Sequence, residues 1–289
     1  MGLSAQMYLL LAIVSSASMS IVMKCFPAGE GNRYAIILGN YLTCVVVGFL
    51  MLPDKTVFGQ TMLVTLICGI IGGILFVAGL VTQQLSIERN GAILSSAFAR
   101  LGLLVPLAIS IVAFREMPTV LQILGIVLVI AAVIVISGKD SAQTSVKIRP
   151  LLLILVLLCC GSAEAMSKIF EKIGERSQDE LFILYIFAFA SVLTAVLLVL
   201  EARKGKRIHA KDLLAGIAVG IPNYFASALL LKALVGLPAI LIYPSFSTGV
   251  ILLVTLVSAL IFKERPGRRG FLGLALILAA IVLLNVGAR

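Results

Sequence analysis

Ten stretches of about twenty mainly apolar residues follow one another along this chain, with very little between them. A helix rises 1.5 Å per residue, so about 20 apolar residues are what a helix needs to cross roughly 30 Å of hydrocarbon. The stretches run approximately over 6–26, 34–52, 61–84, 91–114, 119–137, 151–172, 180–200, 212–232, 237–262 and 269–286. They are long and lack the polar–apolar alternation of barrel strands, so they read as transmembrane helices. Composition agrees. The chain is 61% hydrophobic and 12% charged, whereas a soluble domain is about half apolar and about a quarter charged. Lipid is the solvent this surface fits.

The connections are short. Pro53-Asp54-Lys55 and Glu88-Arg89-Asn90 are typical, and the longest are Gly138 to Pro150 and Glu201 to Lys211. None has room for a folded soluble domain, so function is expected inside the helices or at their ends. The +10 net charge falls mostly in these connections. That placement fits lipid headgroups and orientation rather than nucleic acid. Lys and Arg divide seven to fifteen between alternate sides, with Arg100 set aside as too deep to count. The bias places both termini outside. The first span has no basic n-region before it and is long for a signal sequence, so it reads as retained.

Several chemistries find no support. No Walker loop is present. The sole histidine, His209, sits in a basic loop. No nucleophile or metal set clusters at one depth, so the chain reads as neither an enzyme nor a metal or cofactor protein. Cys25, Cys44, Cys68, Cys159 and Cys160 lie in or beside apolar runs, are odd in number, and read as small hydrophobes.

The chain repeats itself. A shift of 148 brings Phe114, Glu116, Pro118 and Gly125 onto Phe262, Glu264, Pro266 and Gly273. Upstream, a shift of 147 brings Gly69-Ile70 and Gly73-Ile74 onto Gly216-Ile217 and Gly220-Ile221, and a shift of 144 brings Lys24 onto Lys168. Two repeats are expected, 1–145 and 146–289, each with five spans. An odd number of spans makes the second repeat enter the membrane from the opposite side. The expected fold is therefore an all-α integral membrane protein of ten transmembrane helices in two inverted five-helix repeats.

The segments Phe114-Arg115-Glu116-Met117-Pro118-Thr119 to Gly125 and Phe262-Lys263-Glu264-Arg265-Pro266 to Gly273 resemble the drug/metabolite transporter superfamily, and within it the ten-helix EamA-type proteins. Pro106 and the stretch Gly69 to Leu94 extend the likeness over nearly the whole chain. The resemblance implies a secondary transporter or exporter whose central cavity is formed by spans 1–4 and 6–9, with spans 5 and 10 peripheral. It also implies cytoplasmic termini, opposite to the charge count. The chain has no Trp, which speaks against an aromatic cage.

Polar residues inside the spans mark candidate pathways. An ionisable group at the bilayer centre costs about 2.5–3.5 kcal/mol on insertion scales. Arg100 lies near the middle of span 4, with Ser95 and Ser96 one turn earlier. It reads either as a fixed cation for a carboxylate or phosphate, or as a donor to carbonyls at a broken helix. Glu164 and Lys168 share a face of span 6. They read either as a coupling or binding pair or as an intrahelical ion pair. Asn223 follows Pro222 in span 8, and Tyr243 precedes Pro244 in span 9. Both stand where a kink frees carbonyls and lines a pathway. Asn40 on span 2 reads as an interhelical hydrogen bonder or a site residue. Gly69, Gly73, Gly216 and Gly220 have small-residue spacing for close helix packing.

The function expected is export or exchange of a small polar metabolite, an amino acid or another anionic or zwitterionic compound, by alternating access across the bacterial cytoplasmic (inner) membrane. Partners are the small-molecule substrate and the lipid bilayer, with proton coupling open and nucleic acid excluded. The rivals are a lipid-headgroup flippase and a multidrug or organic-cation exporter.

Overall fold

A computed structural model describes residues 4–25, 32–52, 59, 61–90, 92–137, 149–203, 209–261 and 268–287. Among them every long element is an α-helix and there is no strand. The helices are α1 (Ala5–Cys25), α2 (Arg33–Met51), α3 (Leu63–Asn90), α4 (Ala92–Leu101), α5 (Leu104–Phe114), α6 (Val120–Ser137), α7 (Pro150–Ile173), α8 (Asp179–Ala202), α9 (Ala210–Leu234), α10 (Ala239–Ile261) and α11 (Arg268–Val286). Seven are long and apolar enough to cross a membrane, and the shorter apolar stretches Phe98–Phe114, Val120–Val135 and Phe271–Val286 bring the described set to ten. The helix boundaries match the apolar runs within a few residues, save that the fourth run is two helices.

That break has a local cause. Pro106 has no N–H to offer the Gly102 carbonyl four residues earlier, and its ring would crowd that carbonyl in a regular helix. Gly102 O instead accepts from Val105 N at 2.9 Å, and Gly102 N donates to Ala99 O at 3.1 Å. α4 thus ends just after Arg100.

Helix starts are tied down by side chains. Asn32 caps α2, accepting from Tyr34 N at 3.1 Å. Asp212 Oδ2 accepts from His209 N at 3.2 Å in the capping box of α9, and from Asn32 N at 2.9 Å. One carboxylate therefore serves two helix N-termini, where backbone donors lack internal partners. Thr119 and Gln122 cap α6 reciprocally, and Thr119 Oγ1 also donates to Gly287 O at 3.2 Å.

The chain forms two compact units, each drawing on both halves of the sequence. The first comprises Met1–Val77 and Ile169–Val235, the second Ala78–Lys168 and Gly236–Arg289. In the first unit α2 packs on α9 and α8, and α1 on α9. A Cβ on Gly39 would meet Leu213 O at 2.8 Å, and one on Gly220 would meet Asn40 O at 2.6 Å. A Cβ on Gly73 would meet Ile186 O at 2.8 Å. Backbones touch at these glycines, as small residues in membrane helices allow. The core is closed by Tyr41, Phe76 and Phe187 and by the stacked rings of Phe170 and Phe182, 4.0 Å apart.

In the second unit α6 packs along α11, and α10 meets α5, α6 and α11. Leu101 and Val133 are buried together, with Leu157 and Ile251 against them. Large apolar side chains such as Val112, Val120, Leu260 and Val282 stand exposed, as lipid-facing residues do. Cys44 and Cys68 are buried free thiols, and Cys159 and Cys160 are partly buried ones. The side chains of Lys24 and Cys25 lie outside the described residues.

Candidate functional site

The second unit brings four of the polar residues into one neighbourhood. Gly102, at the α4–α5 break, lies directly against Gly161 of α7. A Cβ on Gly102 would stand 2.9 Å from Gly161 N, and a Cβ on Gly161 would collide with Gly102 O. The two backbones cross with no side chain between them. Arg100 is two residues before this crossing and Glu164 one turn after it, so the contact fixes their proximity. The two interact electrostatically. Both are only partly buried, and among the described residues neither side chain makes a direct hydrogen bond or ion pair. A guanidinium and a carboxylate thus sit in the apolar segment near one another without closing on each other.

Tyr243 completes this side. Its ring is buried and its hydroxyl donates to the Glu164 backbone carbonyl at 3.0 Å, joining α10 to α7. Farther along α10, the buried hydroxyls of Ser245 and Ser247 have no partner among the described residues. Ser95 and Ser86, both buried, bond each other at 2.7 Å where α4 faces the end of α3. Ser96 is on α4, but its side chain lies outside the described residues.

Lys168 departs from the intrahelical pairing with Glu164. It is 1% exposed and its Nζ lies 2.6 Å from Glu116 Oε1, a residue in the turn between α5 and α6. The Glu116 carboxylate also accepts from Ser110 Oγ and, at 3.0 Å, from Ala239 N at the start of α10. Lys168 further faces the Phe114 ring at 5.9 Å. Helical periodicity offered Glu164 as the partner of Lys168 because it sees only neighbours on one helix. The sequence singled out Glu116 as a repeat marker and gave it no site role. Burial acts to raise its pKa, but the Lys168 hydrogen bond and charge, Ser110 and the Ala239 N–H together hold the carboxyl below the usual range. What aims Glu116 is the turn itself. Arg115 is left-handed at φ 55°, and Glu116 N donates back to Ser110 O at 3.1 Å. This bond, spanning six residues, closes the end of α5.

Asn40 and Asn223 come together in the first unit. Asn223 Nδ2 donates to Asn40 Oδ1 at 3.1 Å, and Cys44 Sγ lies 3.6 Å from the same oxygen. This is interhelical bonding between α2 and α9, and it gives Asn223 a partner beside Pro222. A groove of about 400 Å³ on this unit is walled by Val45, Phe49, Leu50, Leu184 and Tyr185. The Tyr185 hydroxyl is paired with Thr61 Oγ1 at 2.9 Å, so the groove presents apolar surface suited to acyl chains.

These features define a multi-pass α-helical membrane protein with opposite charges held within its apolar segments. Residues 148–286 match the model of the EamA-like transporter family. It is 27% identical over 290 residues to an uncharacterised protein of Haemophilus influenzae, covering 96% of each chain. It also shares its fold with a solved crystal structure, with a TM-score of 0.75 at 16% identity over 99% of this chain and 98% of that one.

Proposed function

We propose that this protein is a membrane transporter, a secondary carrier that exports or exchanges a small zwitterionic or anionic metabolite by alternating access. Its working parts are two inverted five-helix repeats, 1–145 and 146–289. The observation that carries the reading is the Arg100–Glu164 pair. Two opposite charges in an apolar segment that do not close on each other leave their hydrogen-bonding capacity to water or to a ligand. A guanidinium takes a carboxylate in two parallel hydrogen bonds, and a carboxylate takes an ammonium group. An amino acid offers both groups a few ångströms apart. Tyr243 holds the α7 segment that bears Glu164, and Lys168 acts through Glu116. Asn40, Asn223 and Ser96 stand as pathway residues on α2, α9 and α4. The match of residues 148–286 to the EamA-like transporter family supports a transporter of the drug/metabolite type, and the glycine spacing shared by the two halves supports the duplication.

Reconstitution of the full chain in liposomes tests this, with counterflow of radiolabelled amino acids, nucleotide-linked metabolites and organic cations. Zwitterion or anion counterflow is expected, reduced at least tenfold by Arg100→Ala. Anion flux untouched by Arg100→Ala overturns the assignment. Flux of organic cations alone, abolished by Glu164→Gln, establishes the cation-exporter reading instead. Lipid-analogue scrambling without solute flux establishes a flippase.

A further inference from the structure

Three connections in the second unit form a closed ring. The Glu116 carboxylate bonds Lys168, one turn along α7 from Glu164, and the Ala239 N–H, one turn before Tyr243 on α10. Tyr243 then donates to the Glu164 carbonyl at 3.0 Å. The circuit runs from Glu116 through Lys168, one turn of α7, Glu164, Tyr243 and one turn of α10 to Ala239, and back to Glu116. α7 and α10 are thus joined twice, one helical turn apart. One joint is at Glu164 and the other goes through a carboxylate that neither helix owns.

We infer that Glu116 is a positioning residue for the Glu164 site: its single carboxylate, presented by the left-handed turn at Arg115, sets the spacing of α7 and α10 at the level of Glu164. The inference rests on the reading of Arg100 and Glu164 as the substrate-binding pair, but its geometry does not depend on the substrate. A carboxylate suits this task because it accepts several hydrogen bonds at once. Here it receives an ammonium group, a hydroxyl and a backbone N–H from three elements. Bonds linked in one circuit act as a unit, so removing one member removes most of what the others contribute.

The experiment uses the full chain in liposomes and reads labelling of the Glu164 carboxyl by dicyclohexylcarbodiimide, an apolar reagent for membrane carboxyls, by peptide mass spectrometry. The variants are Glu116→Gln, Tyr243→Phe and the two combined. A fourth, Glu116→Gln with Lys168→Met, removes both charges of the buried pair, so that folding is not challenged by an unpaired lysine. Each variant is expected to change Glu164 labelling at least threefold. The combined Glu116→Gln/Tyr243→Phe protein is expected to show no more change than the larger single one. Labelling unchanged in the Glu116 variants, or single effects that multiply in the double variant, overturns the inference. Because no substrate enters the assay, this outcome is separate from that of the flux measurements. Flux unaffected by Arg100→Ala and Glu164→Gln removes the substrate reading and leaves the labelling result as it stands.

Discussion

Glu116 remains ionised in the folded chain to lower pH than a free glutamate, because Lys168, Ser110 and the Ala239 N–H hold its charged form. Its folded pKa is depressed, so the stability it contributes is complete above the unfolded value of about 4.3. That stability is lost as pH falls through the folded value. The wild-type thermal midpoint in detergent is therefore expected to exceed that of Glu116→Gln at neutral pH, with the gap closing on acidification below about pH 4. A gap constant with pH contradicts this account. The pair is also asymmetric, since Lys168 is 1% exposed and Glu116 16%. Glu116→Ala strands a buried ammonium, which costs about 3–5 kcal/mol when a buried pair is broken. Lys168→Met leaves a carboxylate that solvent reaches and should cost less, and melting both variants decides the order. The sequence made Arg100, Glu164, Lys168 and Tyr243 legible as residues, because charge and kinking prolines stand out in apolar runs. It could not tell which carboxylate Lys168 meets. Glu164 and Lys168 are four apart, whereas Glu116 and Lys168 come together only through tertiary folding.

The apolar runs gave the helices nearly to their ends, because lipid leaves an exposed backbone no alternative to internal hydrogen bonds. The break between α4 and α5 needed more, though its cause, Pro106, was in plain sight. A proline within an apolar run can bend a helix or interrupt it. Here Gly102 allows interruption, because its missing side chain lets α7 come into backbone contact. The glycine pairs on α3 and α9 announced their packing by four-residue spacing, whereas Gly102 and Gly161 have no such mates and find each other only across helices. Gly161→Val is expected to push the α4–α5 break off α7 and separate Arg100 from Glu164. Overpacking of this kind costs about 1–3 kcal/mol. The lowered thermal midpoint should accompany at least a tenfold loss of counterflow. Gly216→Val crowds Ile36 O and Asn40 N in the first unit, with a similar midpoint loss. A Gly161→Val protein with wild-type flux removes the crossing from the account of the site.

If the seven long apolar helices and the three shorter stretches all cross the membrane, with α4 and α5 counted as one, the two chain ends lie in the same compartment. Five such helical stretches precede residue 138 and five follow residue 149. If each half of the duplicated sequence crosses five times, the junction must lie on the side opposite to both termini, and corresponding helices of the two halves must run in contrary senses. This is a parity argument, independent of substrate and of how the helices pack. The inward bias of lysine and arginine places the termini outside, and the family likeness implies the reverse, but both agree on parity. Single cysteines introduced at Ser4, at Ser141 in the junction and at Gly287 test it, in a chain whose own thiols are replaced by alanine. A membrane-impermeant maleimide added to sealed vesicles is expected to label positions 4 and 287 alike. Position 141 should be labelled only from the opposite face. Labelling of all three from one face means an even number of crossings in each half. The repeats would then be parallel, and exchange of conformation between inverted halves could not drive the cycle.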